Sequence, residues 1–219
     1  MSLLAEVGHR KCPQYEHKKF GTNYLDPNLI VSDCSLLGSP NMVAQVTPKY
    51  LCQTLLEKSQ ARVIIGEAIG LRRSDELNGR PTAVVCKNDD NTFDLECDDV
   101  VLAAGPWTGE LSSNILHKDE ADVVRIGGER IHSLILKPPK QIDMSNHCLF
   151  VDLRIRGSFP TEPEVFPRPD GTAFICGSSD DEPLPKAAHE VKIDKAAIDN
   201  LRREVSLLSP QHFSTFEGE

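Results

Sequence analysis

One segment, Asp98–Leu111, constrains the fold of this chain more than any other. Its Val-Val-Leu run at residues 100–102 has the composition of a short strand that is covered on both faces. The Ala-Ala-Gly sequence at residues 103–105 then removes side-chain bulk, so that another backbone or a flat ligand can approach within van der Waals distance. The segment therefore predicts a strand at Val100–Ala104 that ends in a bare turn.

A helix is expected directly after this turn, at Trp107–Leu116. Pro106 helps to fix the turn, and Thr108 is placed to act as the helix N-cap. The same small residues also suit a strand and a helix that pack closely without any ligand. The residues alone leave both interpretations open.

The first half of the chain has the pattern of one helix and three strands after an irregular segment at residues 1–41. Thr47 followed by Pro48 is typical of a helix N-cap and a first helical residue, and leucines at helical spacing continue to about Ala61. Strands are predicted at residues 62–68, 82–87 and 92–97.

The second half has the pattern of an antiparallel sheet followed by a helix. Strands are predicted at residues 131–137, 148–153, 164–168 and 172–177. The Pro-Asp-Gly sequence at residues 169–171 is a sharp turn between the last two strands. Asp194 is expected to cap a final helix that ends at Pro210.

Alternation along the last strand predicts which side chains share a face. Ala173 and Ile175 should point to one side of the sheet, and Phe174 and Cys176 to the other. This prediction depends on antiparallel pairing between the last two strands. A structure without that pairing would contradict the architecture.

The charge balance excludes one class of partner. The chain carries 24 Lys and Arg against 33 Asp and Glu, a formal net charge of −9. A nucleic-acid-binding protein needs a basic stripe, and the sequence contains none. No run approaches the roughly 20 apolar residues of a membrane-spanning helix. We therefore expect no nucleic-acid partner and no membrane span.

The cysteines indicate the compartment. There are seven, an odd number, and no two of them form a Cys-x-x-Cys pair. This argues against a zinc site and against a disulfide framework. The N-terminus also lacks the pattern of a secretory signal. The expectation is a protein of a reducing compartment, the cytoplasm.

Four segments, in order along the chain, resemble one family. Asp98–Leu111 resembles the V-V-x-A-A-G-x-W-[ST]-x-x-L sequence of the FAD-dependent oxidoreductases of the D-amino-acid oxidase and glycine oxidase type. Glu164–Ser179 resembles their substrate-domain strand, turn and strand. Gly128–Leu136 resembles the return strand into that sheet, and Gln45–Pro48 the Q-V-x-P that opens the preceding helix.

The resemblance implies an FAD site and oxidation by hydride transfer from the carbon next to an amine to the flavin. The residues implied to lie near the cofactor are Val63, Ala103, Ala104, Gly105, Pro106 and Trp107. The family holds the cofactor pyrophosphate with a GxGxxG turn, and this sequence contains none. We therefore expect a truncated form, the central portion of a flavoenzyme, that binds FAD weakly or not at all on its own.

Two side chains are candidates for substrate binding. In the family, the arginine at the end of the Pro-Arg strand holds the substrate carboxylate, which implies this role for Arg168; an exposed surface arginine is the alternative. His132 is the other polar candidate, although a histidine in such a strand is more often a core residue. Ser133 should face the opposite side of the strand from His132.

The resemblance implies an α/β fold of mixed α+β type with two parts. Residues 1–122 would be a partial flavin-binding α/β domain, and residues 123–219 an antiparallel-sheet substrate domain. The expected function is an oxidoreductase acting on a small amine or amino acid. The alternative is a non-catalytic remnant that serves as an interaction module, for example in intracellular trafficking. Apolar surface left uncovered would favour self-association.

Overall fold

A computed structural model of the chain describes residues 2–6, 22–26, 28–39, 41–76, 79–89, 91–137 and 144–213. The described residues form a mixed α/β structure, which confirms the predicted fold class. The strands are β1 (Ser2–Glu6), β2 (Ile30–Ser35), β3 (Glu67–Ser74), β4 (Arg80–Asn88), β5 (Asn91–Glu96), β6 (Arg130–Leu136), β7 (Leu149–Arg154), β8 (Glu164–Pro167) and β9 (Ala173–Asp180). The helices are α1 (Pro48–Ser59), α2 (Thr108–Ile115), α3 (Lys118–Ala121), α4 (Lys195–Leu208) and α5 (Pro210–Phe213), with 3-10 turns at Gly105–Trp107 and Ala188–Glu190.

The chain divides into two compact units. We call the first the sheet unit; it comprises Met1–Ala44, Arg130–Asp181 and Ala187–Glu219. The second is the meander unit, which comprises Gln45–Glu129 and Glu182–Lys186. The assignment of residues 1–122 and 123–219 to two functional domains stays a prediction.

The sheet unit is built on a six-stranded sheet with the order β2-β1-β7-β8-β9-β6. Neighbouring strands are antiparallel except β1 and β7, which run parallel. The prediction of an irregular N-terminal segment is wrong at β1 and β2, because β1 finds hydrogen-bonding partners in both β2 and β7. Residues 7–21 of that segment lie outside the described residues.

One face of this sheet forms the core. Fully or almost fully buried aliphatic side chains occupy alternate positions of the central strands. They are Leu149, Val151, Leu153, Val165, Ala173 and Ile175. Helix α4 packs in the same core cluster through Leu201, Val205 and Leu208, which recur at helical spacing.

The predicted alternation along β9 is confirmed. Ala173 and Ile175 are fully buried on the core face, whereas Phe174 and Cys176 are only half-buried on the other face. The pleat of a strand sends successive side chains to opposite sides, and only one side of this strand meets the core. Strand β9 therefore presents two chemically different surfaces.

The hairpin between β8 and β9 is also confirmed. The Arg168 N–H donates to the Thr172 carbonyl at 2.8 Å, and the Gly171 N–H donates to the Arg168 carbonyl at 3.0 Å. Gly171 adopts a left-handed φ of 82°, which a residue without a Cβ takes at little cost. The Asp170 carboxylate accepts from the Thr172 N–H and hydroxyl at 2.9 and 2.6 Å. The turn is thus held by its own hydrogen bonds.

Helix α4 begins where the sequence predicts. The Asp194 carboxylate accepts from the Ala196 N–H at 2.8 Å, as an N-cap does. The helix ends at Leu208, directly before Ser209 and Pro210, as predicted. Pro210 itself opens the short helix α5, because proline is compatible with a first helical turn. No helix in the described ranges is long and apolar enough to cross a membrane.

The meander unit contains the antiparallel sheet β3-β4-β5. The predictions at residues 82–87 and 92–97 are confirmed within two residues by β4 and β5. The first strand is shifted, because β3 starts at Glu67 rather than at Arg62 and continues to Ser74. The three strands pair through the backbone of β4.

The strand predicted at Val100–Ala104 is not present. These residues have no regular secondary structure, and the Val101 side chain is 87% exposed. A strand needs a hydrogen-bonded neighbour, and no described strand pairs with this segment. The apolar run has the composition of a buried strand without the partners that would make it one.

The helix predicted after the turn is confirmed, but its cap is not. Helix α2 starts at Thr108, which is therefore the first helical residue rather than the N-cap, and Trp107 occupies the cap position. The Thr108 hydroxyl donates to the Gly105 carbonyl at 2.7 Å. The 3-10 turn Gly105–Trp107 comes directly before Thr108, so the helical conformation already includes this residue.

Candidate functional site

The candidate site is the face of the six-stranded sheet opposite to the core, which we call the outer face. Its side chains alternate with the buried ones and are half-buried or exposed. They are Ser133 and Ile135 of β6, Phe150 of β7, Glu164 and Phe166 of β8, and Phe174 and Cys176 of β9. Because the core does not use these residues, they are the ones available to a ligand.

An aromatic row crosses the outer face. The rings of Phe150 and Phe166 meet edge to face, with centroids 5.8 Å apart and an interplanar angle of 88°. Phe166 and Phe174 are paired in register on neighbouring strands, with centroids 6.1 Å apart. Aromatic pairs at these distances support one another. The three rings, Phe150, Phe166 and Phe174, therefore form a continuous apolar surface on the outer face, which we call the aromatic floor.

A polar row lies beside the aromatic one. Glu164 is paired in register with Cys176, and Cys176 in turn with Ser133. The Cys176 thiol donates to Glu164 Oε2 at 3.3 Å. Burial above all, and then the hydrogen bond and the negative charge of Glu164, raise the pKa of Cys176 to about 12. The thiol stays protonated near neutral pH and acts as a donor, not as a nucleophile.

Arg168 lies at the end of β8, next to the aromatic row. Its guanidinium carbon is 5.2 Å from the centroid of the Phe174 ring, a cation–π distance. Among the described residues, no carboxylate lies within ion-pair distance of this guanidinium. The neighbouring Asp170 is bonded to Thr172, and these hydrogen bonds lower the pKa of Asp170 more than the charge of Arg168 does.

His132 lies on the core face and is 4% exposed. Its Nε2 accepts from the Asp194 N–H at 3.0 Å, and its Nδ1 is 3.3 Å from the Ser178 carbonyl. An accepting Nε2 requires the proton to be on Nδ1, which then donates to that carbonyl. Both ring nitrogens are thus used to tie β6 to β9 and to the start of α4.

The two residues predicted to bind substrate are not brought together. Arg168 follows Pro167, which pairs with Ala173, whereas His132 pairs with Gly177. Four residues of β9 separate these positions, about 13 Å at the rise of a strand. The two side chains also differ in face, since Ser133 and not His132 belongs to the outer face. The substrate role of His132 stays a prediction.

The residues predicted to lie near FAD are in the meander unit. Gly105 has a left-handed φ of 57°, and a Cβ there would meet nothing within 4 Å. The Trp107 indole N–H donates to the Pro185 carbonyl at 2.6 Å. Pro106 lies against Gly128, where a Cβ would come within 2.6 Å of the proline Cβ. The turn is therefore anchored by Pro106 and Trp107.

The rest of this predicted set is open. Ala103 is exposed and Ala104 half-buried. Val63 lies in an irregular segment before β3 and is 58% exposed. The segment Ala103–Gly105, which carries little side-chain bulk, and the exposed residue Val63 are therefore accessible for contact.

A comparison with protein families decides the identity of the chain. Residues 32–218 match the model of the DAO family, described as FAD dependent oxidoreductase. The chain belongs to this family. The match includes both the hairpin with Arg168 and the turn at Ala103–Trp107.

Two curated relatives carry the name "Putative oxidoreductase". One, from Schizosaccharomyces pombe, is 26% identical over 198 residues, which are 84% of this chain and 48% of the relative. The other, from Saccharomyces cerevisiae, is 24% identical over 212 residues, 83% of this chain and 38% of the relative. The chain thus spans half or less of the length of these relatives.

A solved structure also resembles the chain. It is a glycerol-3-phosphate dehydrogenase from Bacillus halodurans complexed with FAD, with a TM-score of 0.46 and 16% sequence identity. The likeness covers 67% of this chain and 27% of that one. The family membership rests on the family match and not on this likeness.

Sequence reasoning did not select Glu164, Phe150 or Phe166. The signal was nevertheless present, because the alternation that places Phe174 and Cys176 on one face extends through the hairpin to β8. A tight turn fixes the register, so that Phe166 must face Phe174, and Glu164 must face Cys176. The polar row follows from that register.

Proposed function

We propose that the chain contributes the substrate-binding surface of an FAD-dependent oxidoreductase of the amine or amino-acid oxidase type, with Arg168 holding a substrate carboxylate. The observation that carries this proposal is the guanidinium above the Phe174 ring, without a carboxylate partner in the described part of the chain. Family membership supports the reaction class at its coarsest level, oxidation with FAD.

The chemistry of a guanidinium suits this role. An arginine stacked on an aromatic ring is held in plane by the ring, which leaves the N–H groups on its edge free to donate. Two parallel N–H groups bind a carboxylate at both oxygens and so fix its orientation as well as its place. The Phe166–Phe174 floor beside it shields the apolar part of a substrate from water.

FAD is the cofactor of the proposal. When bound, it accepts the hydride taken from the substrate. The turn at Ala103–Gly105 carries little side-chain bulk, is anchored by Trp107 and fits contact with such a group. Val63 lies in a further exposed segment. Because the 219 residues include no GxGxxG turn, we expect this chain to retain FAD weakly.

The test compares Arg168→Ala with a matched control, Arg156→Ala, in which an exposed loop arginine is removed. Binding of simple carboxylates to the full chain, with FAD added, is measured by isothermal titration calorimetry. We expect Arg168→Ala to cost about 2 to 5 kcal/mol of binding free energy, the range for a charge left without its partner. Arg156→Ala should change nothing. Equal affinities of Arg168→Ala and wild type would overturn the proposal.

A second candidate function is a non-catalytic interaction module that associates with itself. It is favoured by helix α1, which buries none of its side chains. Leu51, Leu55 and Leu56 are 42%, 60% and 49% exposed, and such exposed apolar patches mark association surfaces. Light scattering after size exclusion tests this. Concentration-dependent dimers that Leu55→Lys abolishes would support it, and a monomer at all concentrations would contradict it.

We also propose a cytoplasmic location. The cysteines at positions 52, 86, 97 and 176 are free thiols, as a reducing compartment keeps them. A fluorescent fusion of the full chain checks the location directly. Fluorescence inside an organelle of the secretory pathway would overturn it.

A further inference from the structure

Glu164 is a carboxylate in an apolar setting on the outer face. It is half-buried, it is paired in register with Phe150 on one side and Cys176 on the other, and Phe166 follows two residues later on the same face. Within the described residues, no Lys, Arg or His lies at ion-pair distance from its oxygens. Among the described residues, its hydrogen-bond donor is the Cys176 thiol, at 3.3 Å.

The charged groups of Glu164 and Arg168 both contact side chains of β9. The carboxylate of Glu164 meets the side chain of Cys176, and the guanidinium of Arg168 stands above the ring of Phe174. Cys176 and Phe174 are two residues apart on one face of β9, which corresponds to about 7 Å along the strand. A negative and a positive group therefore lie on one surface, with Phe166 between them on β8 and the Phe174 ring beneath the guanidinium.

This juxtaposition is complementary to a small zwitterion. Resting on the proposed function of Arg168, we infer that Glu164 receives the cationic amine of an amino-acid substrate whose carboxylate binds Arg168. The spacing suits a molecule whose two charges are a few bonds apart. A hydroxy acid would satisfy Arg168 and leave Glu164 without a partner, so Glu164 selects amino acids over hydroxy acids.

Cys176 has a positioning role in this site. Its thiol holds one oxygen of Glu164 over β9, and the second oxygen remains free to accept from the amine. Ser133, the next residue of the polar row, lies beyond Cys176. Removing the thiol should therefore weaken amine binding without abolishing it, since the carboxylate itself remains.

The experiment uses two pairs of matched probes. Glycine is compared with glycolate, and 2-aminoisobutyrate with 2-hydroxyisobutyrate. Within each pair a charged amine replaces a hydroxyl of similar size. The second pair is achiral and has no hydrogen on the reacting carbon, so binding is measured without turnover. Affinities for the full chain are determined by calorimetry with FAD added.

We expect wild type to prefer each amino acid over its hydroxy acid by at least tenfold. Glu164→Gln should lose that preference while its affinity for the hydroxy acids stays the same. Cys176→Ala should reduce the preference several-fold. Glu162→Gln, the removal of an exposed neighbouring carboxylate, is the control and should behave as wild type. Thermal unfolding confirms that each variant is folded, and Glu164→Asp replaces Glu164→Gln if that variant is not.

The outcomes separate this inference from the proposed function. If Arg168→Ala weakens both members of a pair but Glu164→Gln leaves the preference intact, the inference fails and the role of Arg168 stands. If Glu164→Gln weakens both members equally, Glu164 has no selective role and the inference fails as well. If wild type binds neither pair, both the inference and the carboxylate site are overturned.

Discussion

The two faces of the six-stranded sheet are made by the same strands and differ in almost every respect. On the core face, Ile175 and Val165 are fully buried. His132 of β6, a buried polar residue on this face, has both ring nitrogens hydrogen-bonded. On the outer face, aromatic rings are half-exposed, and neither Glu164 nor Arg168 forms an ion pair among the described residues. The polar groups of His132 on the core face are bonded within the protein, whereas the proposal assigns the charged groups of the outer face to a ligand.

The largest expected effect is a difference in stability between substitutions at two neighbouring residues of β9, Ile175 and Phe174. Ile175→Ala removes a fully buried side chain and should lower the free energy of unfolding by about 2 to 5 kcal/mol. Phe174→Ala, its neighbour on the outer face, should cost clearly less stability but should weaken carboxylate binding, because Arg168 loses its ring. Urea unfolding and calorimetry measure the two effects. If Ile175→Ala and Phe174→Ala lower the free energy of unfolding equally, the two faces do not differ in their contribution to stability.

His132 and Ser133 provide the next test. His132→Phe leaves the Asp194 N–H and the Ser178 carbonyl without their partner and should cost about 1 to 3 kcal/mol of stability. Ser133→Ala on the outer face should stay within about 0.5 kcal/mol. Ligand affinity gives the second readout. If a folded His132→Phe variant loses substrate affinity, the predicted substrate role of His132 is supported and the core face is not purely structural.

A smaller effect is expected at the start of α4, which covers the core face. Asp194→Ala removes the side chain that accepts from the Ala196 N–H and should cost about 1 kcal/mol. Asp194→Asn keeps an acceptor and should lose much less. Both variants should bind ligands as wild type does. A change in affinity would mean that the two faces are coupled.

The effect that is smallest at neutral pH is a pH dependence from the outer face, which appears only at alkaline pH. The pKa of Cys176 is raised from 9.0 to about 12, so the folded state holds this proton more tightly than the unfolded state. The stability it contributes is fully present below pH 9.0 and is lost as the pH rises toward about 12. In this pH range, the free energy of unfolding of Cys176→Ser should depend less on pH than that of wild type. At neutral pH, alkylation followed by mass spectrometry should modify exposed Cys52 well before Cys176.

The parts of the fold that the sequence predicts are those settled by short-range chemistry. The Pro-Asp-Gly turn closes through hydrogen bonds of residues 168–172, and Asp194 caps a helix two residues away. The alternation of Ala173 and Ile175 with Phe174 and Cys176 needs only the pleat of one strand. Each of these predictions uses information contained within a few residues, and each is confirmed.

The predictions that fail depend on distant partners. Val100–Ala104 has the composition of a buried strand, but composition does not supply the neighbouring strand that would pair with it. β1 is the reverse case, since it pairs with both β2 and β7 although the sequence around it suggested an irregular segment. Glu164 was not selected because its position beside Cys176 appears only when the register of the two strands is followed through the turn.

The self-contained turn at Asp170 has a consequence for how such a protein can diverge. Because the turn fixes the register of β8 against β9 through its own backbone and two side-chain hydrogen bonds, the register does not depend on what the outer-face positions carry. Mutations at positions 164, 166, 174 and 176 can therefore accumulate without strand slippage. Under the proposed function, such mutations would change the ligand preference of the outer face, while the buried residues between them keep the sheet folded.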